Sequence, residues 1–367
     1  MKLKQIVPFK LIASCVPVKG AQRSTICDLQ RGDVKMIPND LFKILNEHEG
    51  RSIKEIKKTY HNKYDSIIDE YFQFLLDHEF ILFTSTPELF PKMSMDWYEP
   101  AEITHAILDI GEESNYDIYK ALTELNDLHC KHIEFRSFKN IKLKELIAII
   151  EFIEALKSSI ISIDFTIPYS CDFETEIIQK FLFDFPRVSS FRFYGTPETK
   201  FIPPIDGKRG YIIYAEKMLK NEKFCGIVDS SLFSVNIKTF TESLKHNSCL
   251  NRKVAIDRNG DIKNCPSMSK SFGSIDKKSI KDALQNTDYK KYWNIHKDQI
   301  ETCKDCEFRY ICTDCRAYIE NPKDLYSKPL KCGYNPYNNT WEDWETNPLK
   351  KEAMNYYDLL ELKDVNE

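Results

Sequence analysis

The chain lacks the marks of a nucleic-acid or membrane protein. Lys plus Arg number 52 and Asp plus Glu number 56 in 367 residues, a formal net charge of −4. No basic excess is left to meet a phosphate backbone. No apolar run is long enough to span a bilayer: LIAIIEFIEAL, from Leu146, is interrupted by Glu. The N-terminal MKLKQIVPFKLIASC has a short apolar stretch after two lysines. Pro8 and Lys10 break it, and no small-x-small cleavage site follows. Low-complexity segments are absent. These absences lead us to expect a cytoplasmic chain with neither membrane nor nucleic acid as partner. The twelve cysteines are then reduced thiols, available to metal rather than to disulfides.

What is present divides into five stretches. Residues 1–85 form a first unit. STICDLQRGDVKMIP reads as two short strands around Arg31-Gly32-Asp33. A helix capped at Asn39 or Asp40 follows and ends at Gly50. RSIKEIKKTY opens with the capping-box pair Ser52 and Glu55. DSIIDEYFQFLLDHEF is helical by its apolar spacing, and FILFT closes the unit as a strand. This is a winged-helix-like pattern, without the dense basic helix that DNA binding would need. Residues 86–100, rich in proline and polar side chains, read as a linker. Residues 101–244 alternate strand and helix in units near thirty residues, as βα repeats on a parallel sheet do. Five or six units fit, so the expected α/β architecture is a partial (βα) barrel. Residues 245–340 are rich in cysteine, and 341–367 are a tail with a helix.

Seven of the twelve cysteines lie between Cys249 and Cys332. AIDRNGDIKNCP reads as a hairpin turning at Asn259-Gly260 and delivering Cys265. Downstream, Cys303, Cys306, Cys312 and Cys315 form C-x2-C-x5-C-x2-C, followed by Cys332. A two-residue spacer lets two thiolates reach one metal centre. Four thiolates would satisfy one zinc ion. Seven would suit two four-iron clusters, one of them short of a ligand. Spacing alone leaves zinc and iron–sulfur both open.

Taken together, C249-x10-G260-x4-C265, C303-x2-C306-x5-C312-x2-C315 and Cys332 resemble the SPASM domain of radical-SAM peptide-modifying enzymes. The family pattern is C-x(9–15)-G-x4-C, then C-x2-C-x5-C-x3-C, then a final Cys; the spacer before Cys315 is one residue short of it. The resemblance implies two [4Fe-4S] clusters: an outer one on Cys303, Cys306, Cys312 and Cys332, and an inner one on Cys249, Cys265 and Cys315. The family's fourth inner ligand precedes the Cys249 position, where TESLKHNS has no cysteine. Cys225, an exogenous ligand or an open iron is left to fill the place. The C-x3-C-x2-C motif that holds the SAM-cleaving cluster is also absent, since GEESNYDIYKA follows the first barrel strand. No SAM cofactor is therefore expected.

SCVPVKGAQRSTICDLQRG, CEFRYICTDCRAY and CGYNPYNNTW further resemble the SPASM-domain maturases of grasp-with-spasm systems, over nearly the whole chain. That resemblance implies a maturation component for a ribosomally made peptide, with a precursor leader and an ATP-grasp peptide ligase as partners. The N-terminal unit would clamp the leader by β-augmentation, with Ile26, Cys27, Asp28, Leu29 and Gln30 in the edge strand. A non-catalytic scaffold and a zinc-stabilised winged-helix regulator are the competing functions.

Other residues carry weaker expectations. His105, His129 and His132 read as structural. Asp109, Arg136, Asp164 and Arg192 either line a peptide-binding mouth or form buried pairs. Trp341, Trp344, Tyr334 and Tyr337 read as packing the tail on the cysteine region. Cys15, Cys27, Cys130 and Cys171 read as small buried apolar residues.

Overall fold

The computed structural model of the chain describes residues 3–204 and 210–360. The first unit comprises β1 (Phe9–Leu11), β2 (Cys15–Lys19), β3 (Arg23–Asp28), β4 (Asp33–Pro38), α1 (Asn39–Glu47), α2 (Ile53–Thr59), α3 (Asp65–Asp77) and β5 (Ile81–Phe83). β1 pairs antiparallel with β5, and β2-β3-β4 form an antiparallel sheet. Ser52 accepts from the Glu55 amide, and Glu55 reaches back to Ser52, so the capping box starts α2.

Strand alternation gives the three-stranded sheet two buried faces. Cys15, Ile26 and Ile37 pack on the helices with Leu41, Ile44 and Phe72. Val18 and Cys27 pack the other way, against Phe308, Ile311 and Cys312 of the cysteine region. The expected peptide-binding edge is corrected here. Ile26, Cys27 and Asp28 lie in β3, which is hydrogen-bonded to β2 on one side and β4 on the other. Leu29 and Gln30 belong to the turn that follows, with Leu29 buried. The backbone of β3 is paired on both sides, so no strand can add there. The edge strands are β2 and β4, and Met36 of β4 is exposed.

The central sheet draws on β6 (His105–Ile110), β7 (His132–Ser137), β8 (Ser162–Pro168), β9 (Val188–Tyr194), β10 (Lys200–Ile202), β11 (Tyr211–Ala215), β12 (Lys253–Ile256) and β13 (Ile262–Lys263). Its order is β10-β11-β9-β8-β7-β6-β12-β13, with β11 through β12 parallel. α4 (Ile118–Asp127), α5 (Leu143–Ala155) and α6 (Thr175–Asp184) are the crossovers from β6 to β9. Their apolar stripes, such as Leu146, Ile150 and Ile153 of α5, cover one sheet face. Phe135, Phe165 and Phe191 stack beneath them, centroids 5.4 and 5.1 Å apart.

Two expectations change. Helical crossovers link β6 to β9, whereas the short strand β10 stands between β9 and β11, giving fewer than the five or six units expected among the described residues. The sixth parallel strand, β12, comes from the cysteine region, so the expected boundary at 244 cuts through one sheet. α7 (Ile237–Ser243) lies just before that boundary, and α8 (Ile280–Leu284), β14 (Tyr334–Asn335), β15 (Thr340–Trp341) and α9 (Lys351–Tyr356) lie beyond it. Trp344, Ala353 and Met354 pack the tail on Cys315 and Tyr318. The expected tail continues to 367, and 361–367 lie outside the described residues. No described helix is long and apolar enough to cross a membrane.

Candidate metal centre and the cavity beside it

The face of the sheet away from the helices is polar, in register-aligned rows. Lys253, His105, His132 and Ser162 form the first, and Ile107, Glu134, Asp164 and Ser190 the second. Asp109, Arg136, Thr166 and Arg192 form the third. Asp109 and Arg136 make a buried bidentate pair, both N···O distances 2.7 Å. Burial pushes the Asp109 carboxyl up to about 6, against the pull of Arg136. Arg192 instead faces Glu134 at 3.4 Å and Tyr211 at 3.1 Å. The His105 and His132 rings stack 4.7 Å apart. Burial and the nearby Lys253 bring His105 down to about 3, so it is neutral.

A cavity of about 500 Å³ lies over this polar face. Ile107, Glu134, Arg136, Thr166 and Arg192 line it from the sheet. Cys225, Cys249, Cys265 and Cys315 line it as well. These four thiols come from four separate segments: the loop after the turn at Glu222–Phe224, the approach to β12, the exit from β13, and the C-x2-C element. Gly226 has φ +84, and a Cβ there would lie 2.7 Å from the Cys315 Sγ, so glycine lets this loop close on the thiols. Burial pushes Cys315 up to about 12, with Cys249 and Cys225 adding to it. Cys265 and Cys225 rise for the same reasons, though Arg136 opposes the rise at Cys225.

The other thiols form a second group. Cys303, Cys306, Cys312 and Cys332 act on one another, and Cys303, Cys312 and Cys332 are buried. Burial raises Cys303 to about 11 and Cys312 to about 12, with Lys297 pulling both down. Val228 bridges to Cys332, joining the loop that carries Cys225 to this second group. The structure therefore brings Cys249, Cys265 and Cys315 together with Cys225, and places Cys303, Cys306, Cys312 and Cys332 apart from them. Cys312 and Cys315, two residues between them, face different groups. Among the described residues, no three or more His, Cys, Asp or Glu form a site for one metal ion.

Lysines surround both groups: Lys297, Lys331 and Lys350 are buried, and Lys253 is half-buried. Lys297 is 3% exposed; its Nζ is 3.6 Å from Cys312 Sγ, 4.0 Å from Cys303 Sγ and 3.3 Å from the Thr313 carbonyl. Lys253 Nζ stands 3.4 Å from Cys249 Sγ. Lys331 and Lys350 donate to backbone instead: Lys331 to the carbonyls of Lys223 and Cys225, Lys350 to those of Leu330 and Cys332. Burial alone would lower Lys253 and Lys297, but the neighbouring sulfurs, as anions, hold both above the ordinary lysine value. As free thiols these sulfurs would be neutral, leaving the buried Lys297 with a counter-ion no nearer than Asp314 at 4.0 Å, itself paired with Arg316, an expensive arrangement. Ligation to a metal centre makes them thiolates and removes the conflict. The donor set thus fits a metal–thiolate centre in each group.

The glycine of the hairpin has a packing reason. Gly260 has φ +81, and a Cβ there would meet Tyr116 at 2.8 Å. Tyr116 donates to the Asp109 carbonyl at 3.0 Å, and Ser114 donates to the Arg258 carbonyl at 2.6 Å. The loop after β6 is thereby fastened to the β12–β13 turn.

Of the remaining candidates, Cys15, Cys27 and Cys130 are buried, and Cys171 is exposed on a loop, against expectation. His129, at φ +56, ends the turn after α4. Sequence reasoning missed Lys253, Lys297, Lys331 and Lys350. Lysine beside or between cysteine spacers was the available signal, weak because lysine is common.

The family model of an iron–sulfur cluster-binding domain, SPASM, matches residues 248–307. No curated protein matches the chain. Among solved structures, BtrN in an open conformation is 14% identical, covers 56% of this chain and 92% of its own, and has a TM-score of 0.33. SuiB of Streptococcus suis bound to S-adenosylmethionine is 9% identical, with coverage of 88% and 98% and a TM-score of 0.32. SuiB bound to its precursor peptide SuiA is also 9% identical, with coverage of 87% and 98% and a TM-score of 0.30. At such TM-scores these three likenesses carry no argument.

Proposed function

We propose that the chain is a maturation component for a ribosomally made peptide, holding two [4Fe-4S] clusters and cleaving no S-adenosylmethionine. The SPASM match over 248–307, joined to eight thiols in two groups of four, is the observation that supports it most. When bound, such clusters supply one-electron transfer. Cys225, Cys249, Cys265 and Cys315 would hold one, and Cys303, Cys306, Cys312 and Cys332 the other. The protein's own residues do the rest. Burial keeps water from Cys265, Cys303, Cys312, Cys315 and Cys332, Lys331 and Lys350 fix the backbone bearing Cys225 and Cys332, and the Gly226 loop closes one cavity wall.

The N-terminal unit would receive the precursor's leader along the open edge of β4, main chain to main chain. A partner ATP-grasp ligase would act on the presented peptide. The scaffold reading, without chemistry of its own, gains from Cys225: with four thiols on the inner group, no iron is left open as a Lewis acid.

Purification without oxygen tests the metal reading. Iron and sulfide near eight per chain are expected; a colourless protein with one zinc would refute it. Leader binding is tested with a precursor peptide of the kind that the grasp-with-spasm resemblance implies. Methylating alternate backbone nitrogens of that peptide should abolish binding if a strand adds to β4. Equal binding by the methylated peptide removes that mode. Peptide mass change with and without the ligase then separates catalyst from scaffold.

A further inference from the structure

Of these four lysines, two touch sulfur and two donate to backbone carbonyls, Lys350 also pairing with Glu320 at 3.0 Å. Lys297 reaches Cys312 and Cys303, and Lys253 reaches Cys249. The arrangement is one lysine per thiol group. Lysine is cationic at neutral pH, and charge acts strongly where water is excluded. Donors to cluster sulfurs and nearby net charge are among the factors that set an iron–sulfur potential. One-electron reduction adds a negative charge to such a centre, so a fixed neighbouring cation favours the reduced form.

We propose that Lys253 and Lys297 are positioning residues that raise the reduction potentials of the inner and outer centres respectively. The inference rests on the two-cluster reading. The two lysines differ in surroundings. Lys297 has Asp314 4.0 Å away, but Asp314 sits closer to Arg316, at 2.8 Å. Lys253 lines the cavity that Arg136 also lines, and the charge of Arg136 is tied up by Asp109.

The test uses the full chain, prepared without oxygen and titrated with dithionite under electron paramagnetic resonance. Cys265→Ser and Cys312→Ser chains assign the two signals. Lys253→Met should lower the inner potential by at least a tenfold change in the reduction equilibrium, about 59 mV for one electron, with the outer signal unmoved. Lys297→Met should lower the outer potential alone. Lys→Arg at either position should restore most of the loss. Lys→Gln, which keeps a donor without the charge, is read wherever the Met chain loses iron. Potentials unmoved in neutral variants of full iron content overturn the inference. A wild-type chain holding zinc instead of iron defeats the two-cluster reading before any lysine is changed.

Discussion

The two thiol groups sit in one cysteine-rich region yet are enclosed differently. The outer group is walled by protein on the side of the N-terminal sheet. Arg23 pairs with Glu307 at 2.7 Å, Thr25 donates to the Glu307 carbonyl at 3.0 Å, and Cys27 packs beside Cys312. The inner group lines a cavity that the polar sheet also lines. The outer group draws three of its thiols from ten consecutive residues, Cys303 to Cys312. The inner group draws one from each of four distant segments. One is locally assembled and fastened to its neighbour; the other is assembled only when the whole fold is in place. A centre of the first kind suits storage or structure, and one of the second kind suits contact with something entering the cavity.

Substitutions sharpen this contrast. The largest effects should follow loss of a thiol. Cys312→Ser should remove about half the iron and loosen the N-terminal unit, seen as faster proteolysis near residues 20–40. Cys225→Ser should also cost about half the iron yet leave that unit protected. Equal proteolysis in the two chains would erase the distinction. Next in size, Asp109→Ala strands a buried guanidinium on the cavity face, at a cost of about 3–5 kcal/mol by chemical denaturation. Phe165→Ala, on the helix side of the same sheet, should cost a similar 3–5 kcal/mol by opening a cavity. The first should perturb the inner signal more than the second.

A pH effect of intermediate size belongs to the cavity side. His105 is neutral in the fold because its pKa is depressed to about 3, whereas an unfolded histidine titrates near 6.5. The unfolded chain therefore takes up the extra proton, and stability falls as pH drops below 6.5. From pH 7 to pH 5 the loss from this residue is about 2 kcal/mol. Denaturation of wild type and His105→Gln at both pH values should show a smaller drop in the variant. Equal drops would mean that His105 is solvated. The smallest effect is Ser52→Ala, which removes the cap of α2 far from either thiol group. It should cost about 1 kcal/mol and move neither metal signal.

Local pattern made part of this legible in the sequence. The apolar spacing of DSIIDEYFQFLLDHEF, the box at Ser52 and Glu55, and the alternation of HIEFRSF are short-range signals, and each became the expected element. The C-x2-C spacers marked thiols by chemistry. Strand order was not legible, because pairing depends on contacts far apart in sequence. Nothing local says that β3 is central, or that β12 lies beside β6. Cys225 was only a candidate for the same reason: its grouping with Cys249 depends on a loop closing over the sheet. The buried lysines were hidden because a sequence does not show which lysines lose their water.

The pairing of β12 with β6 has a practical consequence for anyone cutting this protein into parts. A fragment ending near residue 244, where composition suggests a border, would leave β6 with a bare row of amides and carbonyls. Such an unpaired edge beside Leu108 and Ile110 invites chain-to-chain pairing and aggregation. A fragment starting near 245 would carry a hairpin stripped of its sheet. Soluble pieces are to be sought by cutting elsewhere, because the cysteine-rich region supplies a strand that the central sheet cannot spare.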